Sequence, residues 1–370
     1  MKNYFEDDIL SKRQRVERAL NHQSVDRVPI HEQLSYNPRV AEYFSGRRIE
    51  GFNFDVRDIG KAVEATLDCT FPLFNPVGTG TEVTEDGFVY KLDNWTKWHV
   101  SKPFDDEDGA AVWVRQKIRE MEEKLKNFDP DAERLAYRKY MQDMQALVGD
   151  TVIMDWSIVT GFCDLYDKIG LEIFSYFIYE YEDLLAEYME LSGTLAYKKA
   201  EAAGDLELSP VVLIAEDFCT MQGTIFNPKM LRKYHYPWVK KLTEAWHSHG
   251  LKVIYHTDGY FKPAIPDLIQ CGVDGFYCLE RNCNMNIEEL VKEYPQFVWM
   301  GGVDGVNVME LGTPEDVVKE VTQIIEKTDA LRKGGIFIDT SSEINPPIPL
   351  DNYLAMIETC HSFKNKNFKV

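Results

Sequence analysis

None of the seven cysteines forms a CxxC pair; they are scattered at positions 69, 163, 219, 271, 278, 283 and 360 and are odd in number. That suits reduced thiols in a cytoplasm, the compartment expected here, better than a disulfide framework. Nor does any stretch approach the roughly 18 apolar residues that a membrane-spanning helix needs. The opening residues, Met1-Lys2-Asn3-Tyr4-Phe5-Glu6-Asp7-Asp8, are too acidic and too poor in apolar side chains for a signal peptide. Positive charge is also scarce, with 41 Lys+Arg against 61 Asp+Glu and a net charge of −20. Such a chain repels phosphate backbones and anionic lipid surfaces, so neither nucleic acid nor membrane is an expected partner. Low-complexity segments and short internal repeats are missing too. What is there is a globular composition: 370 residues, 44% hydrophobic and 12% aromatic, ample for a large core.

Short apolar runs alternate with longer amphipathic stretches. A helix over residues 11–21 leads to a first strand at 27–32. The turn Glu85-Asp86-Gly87 between alternating runs predicts a hairpin over 81–92. Residues 105–148 read as helical, broken and restarted at Asp129-Pro130. From Thr151 the beat is regular. Strands are expected at 152–156, 211–215, 251–255, 275–279, 297–300 and 335–338, with helices between and after them. Val211-Val212-Leu213-Ile214-Ala215 is apolar throughout, as in a strand buried on both faces. About eight such beats favour a closed (β/α)8 TIM barrel of the α/β class with N-terminal helical and hairpin additions. The chain is expected to form one domain, 1–370, with residues 1–150 carrying the additions and 151–370 the main run of strand–helix units. An open doubly wound sheet is the alternative. Against it, no GxGxxG follows the first strand.

Polar groups are released where the late strands end. Glu216 and Asp217 follow Ala215; His256 and Asp258 follow Tyr255; Glu280 follows Leu279; Asp304 follows Val303; Ser341, Ser342 and Glu343 follow Thr340. In a barrel these converge on the C-terminal mouth, where this fold keeps its chemistry. Single acids at strand ends often cap the next helix; five strands in succession are harder to explain that way. His256 stands between strand and glycine turn, where it can bind a divalent metal or handle a proton near neutral pH. Among the aromatics, Trp156, Phe162, Tyr166, Phe218, Tyr260 and Tyr277 are pocket-lining candidates. His247 and His249 diverge on one helix, and Cys271, Cys278 and Cys283 have the wrong spacing for a zinc knuckle, so these three read as core or near-core thiols.

Several segments together resemble the uroporphyrinogen decarboxylase superfamily. They are Arg15-Val16-Glu17-Arg18-Ala19-Leu20 with Asp26-Arg27-Val28-Pro29, Phe226-Asn227-Pro228, His249-Gly250-Leu251-Lys252-Val253, His256-Thr257-Asp258-Gly259, Met300-Gly301-Gly302-Val303-Asp304, Gly312-Thr313-Pro314-Glu315 and the stretch 344–352. The resemblance implies the same (β/α)8 barrel. It also implies one of two activities. The decarboxylases carry an Arg-Gln-Ala-Gly-Arg run after the first strand to receive a polycarboxylate. Here the region reads His31-Glu32-Gln33-Leu34-Ser35-Tyr36-Asn37, and an acidic mouth would repel that substrate. The other branch, the corrinoid-dependent methyltransferases, moves a methyl group between a small molecule and the cobalt of a corrinoid protein.

Thiol-methylating members of that branch hold zinc through His-x-Cys, a Glu after the next strand and a Cys after the last. His256 and Glu280 match this pattern. Asp258 stands at the first cysteine's place and Ser342 at the last one's. Oxygen donors in place of thiolates disfavour thiol chemistry. The expectation is therefore a methyltransferase (a demethylase component) that acts on a small O- or N-methylated substrate, a methoxylated aromatic being one candidate. Corrinoid on a partner protein would be its cofactor, with room for zinc and for a homo-oligomer. His256, Asp258, Glu216 and Asp217 are the expected catalytic set; His256 and Glu280, with Asp258, the expected metal ligands; Asp304, Ser342, Glu343, Trp156 and Tyr260 the expected substrate contacts. A barrel that binds a corrinoid or small ligand without turnover is the rival, and the density of ionisable groups at the mouth argues against it.

Overall fold

The computed structural model describes residues 3–341 and 343–369. Eight short parallel strands close on one another: β1 (His31–Glu32), β2 (Cys69–Thr70), β3 (Val152–Ile153), β4 (Val211–Ala215), β5 (Lys252–His256), β6 (Gly275–Tyr277), β7 (Val298–Val303) and β8 (Ile336–Thr340). The first three form one ladder and the last five another, each in chain order and each parallel. Single parallel bridges, Asp155 to Val212 and Ile30 to Ile338, join the two ladders at both seams and complete the barrel. The C-terminal ends of all eight strands therefore open on one face, as the alternation predicted.

Alternation along each strand separates two cores. Cys69, Phe71, Val152, Met154, Val211, Leu213, Ile254, Met300 and Phe337 pack together as the barrel's filling. Their neighbours Val212, Ile214, Val253, Tyr255, Trp299 and Ile338 pack outward among the helices. Both faces are apolar, which is why the late strands read as continuous apolar runs.

The opposite, N-terminal end is closed by charge. Arg15 and Arg27, both fully buried, share Asp68 at 2.7 Å each and reach Asp8 at 2.8 and 2.9 Å. Arg15 also holds Asp26 at 2.8 Å, and Lys364 from the far end of the chain pairs with Asp8. Three cations thus face three carboxylates. Burial alone would raise Asp68, but Arg27 and Arg15 outweigh it and hold its carboxyl well below the usual range.

Two expectations needed revision. β2 had no counterpart in the sequence reading. The predicted hairpin is a three-stranded antiparallel meander, Gly78–Val83, Val89–Asn94 and Thr96–Ser101. Asn94, at φ 56°, makes the second tight turn, a conformation that asparagine tolerates better than most residues. The meander is tied to the helix Phe162–Ile169 beside the mouth: Lys168 donates to the Tyr90 hydroxyl, and Lys102 Nζ donates to the Ile169 carbonyl at 2.5 Å. Helices Glu107–Lys126 and Pro130–Val148, parted at Asp129-Pro130 as expected, pack on the long helix Glu182–Ala203. Among the described residues no helix is long and apolar enough to cross a membrane.

Candidate active site at the barrel mouth

His256 is the last residue of β5, in register with Ala215 of β4 and Tyr277 of β6. Just past those strand ends, three carboxylates gather around it. Its Nε2 lies 3.3 Å from Asp217 Oδ1 and 3.9 Å from Asp258 Oδ1. The Asp258 amide donates to Asp217 Oδ1 at 2.9 Å, so one carboxylate both orients the loop and faces the ring. Gly259 makes the sharp turn that follows, at φ +80°. A Cβ there would stand 2.6 Å from the Thr220 carbonyl oxygen, so only glycine fits. Its amide donates to Glu280 Oε2 at 2.5 Å, which brings the third carboxylate in from β6. Burial works against a charge on His256, but Asp217, then Asp258 and Glu280, outweigh it and raise the imidazolium pKa to about 9. His256 is thus a cation at neutral pH, and among the described residues its buried Nδ1 finds no hydrogen-bond partner.

Beside His256 lies a cavity of about 340 Å³. Asp217, Trp156, Tyr166 and Tyr277 line it, as do Phe71, Gln33 and the helix residues Asp164 and Asp167. Phe162 and Phe218, also pocket candidates on sequence, are fully buried in the outer core. Tyr260 is half-buried, and its side chain is not among those lining the cavity. Its amide donates to the Thr220 carbonyl at 2.8 Å, which ties the β5 loop to the short antiparallel pair Cys219–Thr220 and Gly223–Thr224.

The remaining predicted residues take other places. Glu216 is fully buried and accepts four hydrogen bonds from the loop after β3: Thr160 N at 2.7 Å, Thr160 Oγ1 at 2.5 Å, Gly161 N at 3.2 Å and Cys163 N at 3.0 Å. It clamps that loop and does not line the cavity. Asp304 caps the turn that follows it, accepting from the amides of Val306 and Asn307 at 3.0 and 2.7 Å. Glu343 accepts from Gln33 Nε2 at 3.2 Å, one residue back from the cavity, and burial raises its carboxyl to about 7. Ser342 lies outside the described residues.

Two features escaped the sequence reading. Cys278, read from sequence as a core or near-core thiol, is buried and donates from Sγ to Asp258 Oδ1 at 3.0 Å. One donor atom each from His256, Asp258 and Cys278 lie within 4.8 Å of one another, close enough to share a metal ion. Glu280 is not in that trio; its Oε2 accepts from the Gly259 amide and the Cys283 thiol. The second feature is a fully buried pair, His31 Nδ1 with Asp339 Oδ2, packed edge-on against Phe71 and Tyr277. Burial lowers His31 to about 3 and raises Asp339 well above its ordinary range, so the pair carries no net charge. The two residues are 308 positions apart, and nothing local in the sequence pairs them.

A family model, uroporphyrinogen decarboxylase (URO-D), matches residues 168–363. In fold the chain is similar to a solved methyltransferase from Methanosarcina mazei, with a TM-score of 0.65 and 16% identity over 95% of this chain and 99% of that one. At that identity the likeness speaks for the barrel alone. A type I 3-dehydroquinate dehydratase from Clostridium difficile also aligns, at a TM-score of 0.30 and 9% identity over 62% of this chain and 75% of that one, too low to carry any argument. No curated protein matches the chain.

Proposed function

Because the chain belongs to the uroporphyrinogen decarboxylase (URO-D) family yet surrounds its mouth with carboxylates, we propose that it is a methyltransferase. It takes a methyl group from a small O- or N-methylated compound and passes it to the cobalt of a corrinoid carried by a partner protein. The observation that carries this reading is His256, held as an imidazolium between Asp217 and Asp258 beside a small cavity. A cavity of about 340 Å³ is at the small end of ligand sites. Asp164, Asp167 and Asp217 on its wall would repel a polycarboxylate, which disfavours porphyrinogen decarboxylation.

This chain's own residues have three tasks in that reaction. The aromatic walls bury the substrate and exclude water. Asp217 keeps His256 charged and fixes the ring's direction. His256, as general acid, hands a proton from its ring to the oxygen or nitrogen that the methyl group leaves. The corrinoid would supply a cobalt(I) nucleophile for the methyl carbon.

Zinc fits the same corner. Nitrogen, oxygen and sulfur donors from His256, Asp258 and Cys278 converge there. Bound there, zinc would supply a Lewis acid for the departing atom, in place of the proton. The test is methyl transfer to cobalt(I) corrinoid protein from a panel of methyl donors, followed by the corrinoid absorbance change. His256→Ala is expected to abolish transfer with the fold intact; transfer at the unaltered rate would refute the assignment.

A further inference from the structure

We propose that the cavity takes a quaternary methylammonium compound, so that nitrogen and not an ether oxygen gives up the methyl group. This rests on the methyl-transfer reading for its chemistry, but the binding claim stands on the walls of the cavity alone.

Those walls combine two surfaces. Phe71, Trp156, Tyr166 and Tyr277 present aromatic rings. Phe71 lies 5.3 Å from Tyr277 at 67° and 6.4 Å from Trp156 at 46°, so its ring plane is parallel to neither of theirs. Trp156 is 37% exposed at the mouth, with Phe74 edge-on behind it at 6.0 Å. Asp164, Asp167 and Asp217 supply the second surface, and among the described lining residues none is Lys or Arg. Lys168, on the same helix as the first two acids, is turned to the meander, 4.9 Å over the Tyr90 ring and 5.2 Å over Phe88. Among the described residues the one cation on the wall is His256, already shared by Asp217 and Asp258.

A neutral methoxyarene would use the rings and gain nothing from three carboxylates. An anionic one would be repelled by them. A permanent cation sheathed in methyl groups uses both: its methyl groups lie on the negative faces of the rings, and its charge answers the acids. The reaction balances. The carbon–nitrogen bond breaks with both electrons staying on nitrogen, which becomes a neutral tertiary amine. The corrinoid cobalt(I), as co-reactant, provides the electron pair for the new bond to carbon and is oxidised to cobalt(III). The amine then takes the His256 proton, which stops it from recapturing the methyl group.

Calorimetric titration of the full-length protein with choline, with its neutral isostere in which carbon replaces nitrogen, and with methoxybenzene tests the binding. Choline is expected to bind at least about tenfold more tightly than either neutral probe, and Trp156→Ala to remove about tenfold of that affinity. Trp156→Phe should recover part of it, and Asp167→Asn should weaken choline while sparing the neutral probes. Equal or tighter binding of a neutral probe, or no choline binding at all, overturns the proposal. Choline-class binding without methyl transfer to the corrinoid protein would sink the reaction reading and leave this one standing. Transfer from a methoxyarene alone would do the reverse.

Discussion

Replacing Asp217 by asparagine should uncouple His256 from its charge. In the metal-free protein His256 titrates at about 9 against an ordinary 6.5, although burial pulls the other way. Asp217 is the largest favourable influence, at 3.3 Å from Nε2, and Asp258 stands farther off at 3.9 Å. A step from 6.5 to about 9 corresponds to ~3 kcal/mol. Solvent reaches about half of the Asp217 side chain, at 52%, and screening leaves ~1–2 kcal/mol of that for the pair. The variant's His256 should therefore titrate about one to two units lower. The sign for stability follows from both partners. His256, raised in the folded state, stabilises fully below 6.5 and loses that contribution as pH rises through about 9. Asp217, lowered in the folded state, stabilises above its unfolded value of 3.8 and loses that contribution as pH falls. The stability gap between parent and Asp217→Asn should thus be widest between those limits and close above pH 9. Nuclear magnetic resonance titration of ring-labelled histidine, with His256→Gln to assign one signal among eight histidines, reads the midpoint directly. A midpoint still near 9 in the variant, or a gap that widens at alkaline pH, would refute the reasoning.

Three further outcomes follow from the same geometry. Asp68→Asn leaves two fully buried arginines short of a carboxylate, and should cost about 3–5 kcal/mol, read as a lower urea midpoint at constant slope; a loss under about 1 kcal/mol would show that the network is not coupled. Glu216→Gln places an amide NH2 group against loop donors. It should cost about 1–3 kcal/mol and speed hydrogen exchange across residues 157–163; unchanged exchange there would dismiss its clamping role. Cys278→Ser should weaken zinc binding and remove the thiolate-to-metal charge-transfer band of the cobalt-substituted protein, whereas Cys283→Ser should leave both; a band that survives Cys278→Ser would take that thiol out of the site.

β4, β7 and β8 were legible because they are long enough to show two buried faces: β4 and β8 are five residues each and β7 is six. β1, β2 and β3 are two residues each. Around β2 the apolar pattern is interrupted by Asp68, buried only because Arg15 and Arg27 meet it from distant segments. No local pattern encodes that. The third meander strand failed for the opposite reason. Five of the six residues in Thr96–Ser101 are exposed, so it has no apolar face for periodicity to detect.

At the mouth, the strand-end argument placed these groups on one face of the barrel but did not separate the two sides of each strand. Successive side chains alternate, so Leu213, Ala215 and Asp217 all line the cavity, whereas Ile214 packs in the outer core and Glu216 clamps the β3 loop. Carrying the two-residue period one step past the strand would have separated Asp217 from Glu216 on sequence alone. The same count starts from Ile254 in the barrel filling and reaches His256 on the cavity wall, with Thr257 turned to the Phe218 amide at 3.3 Å. It fails where the backbone leaves the extended form. Past β7 the chain turns at Asp304, whose carboxylate is spent on the turn's own amides. Nor can a period reach across strands. Cys278 gains its meaning from Asp258 on the neighbouring strand's loop, and His31 from Asp339 at the other end of the chain, so each is an ordinary core residue until the barrel closes.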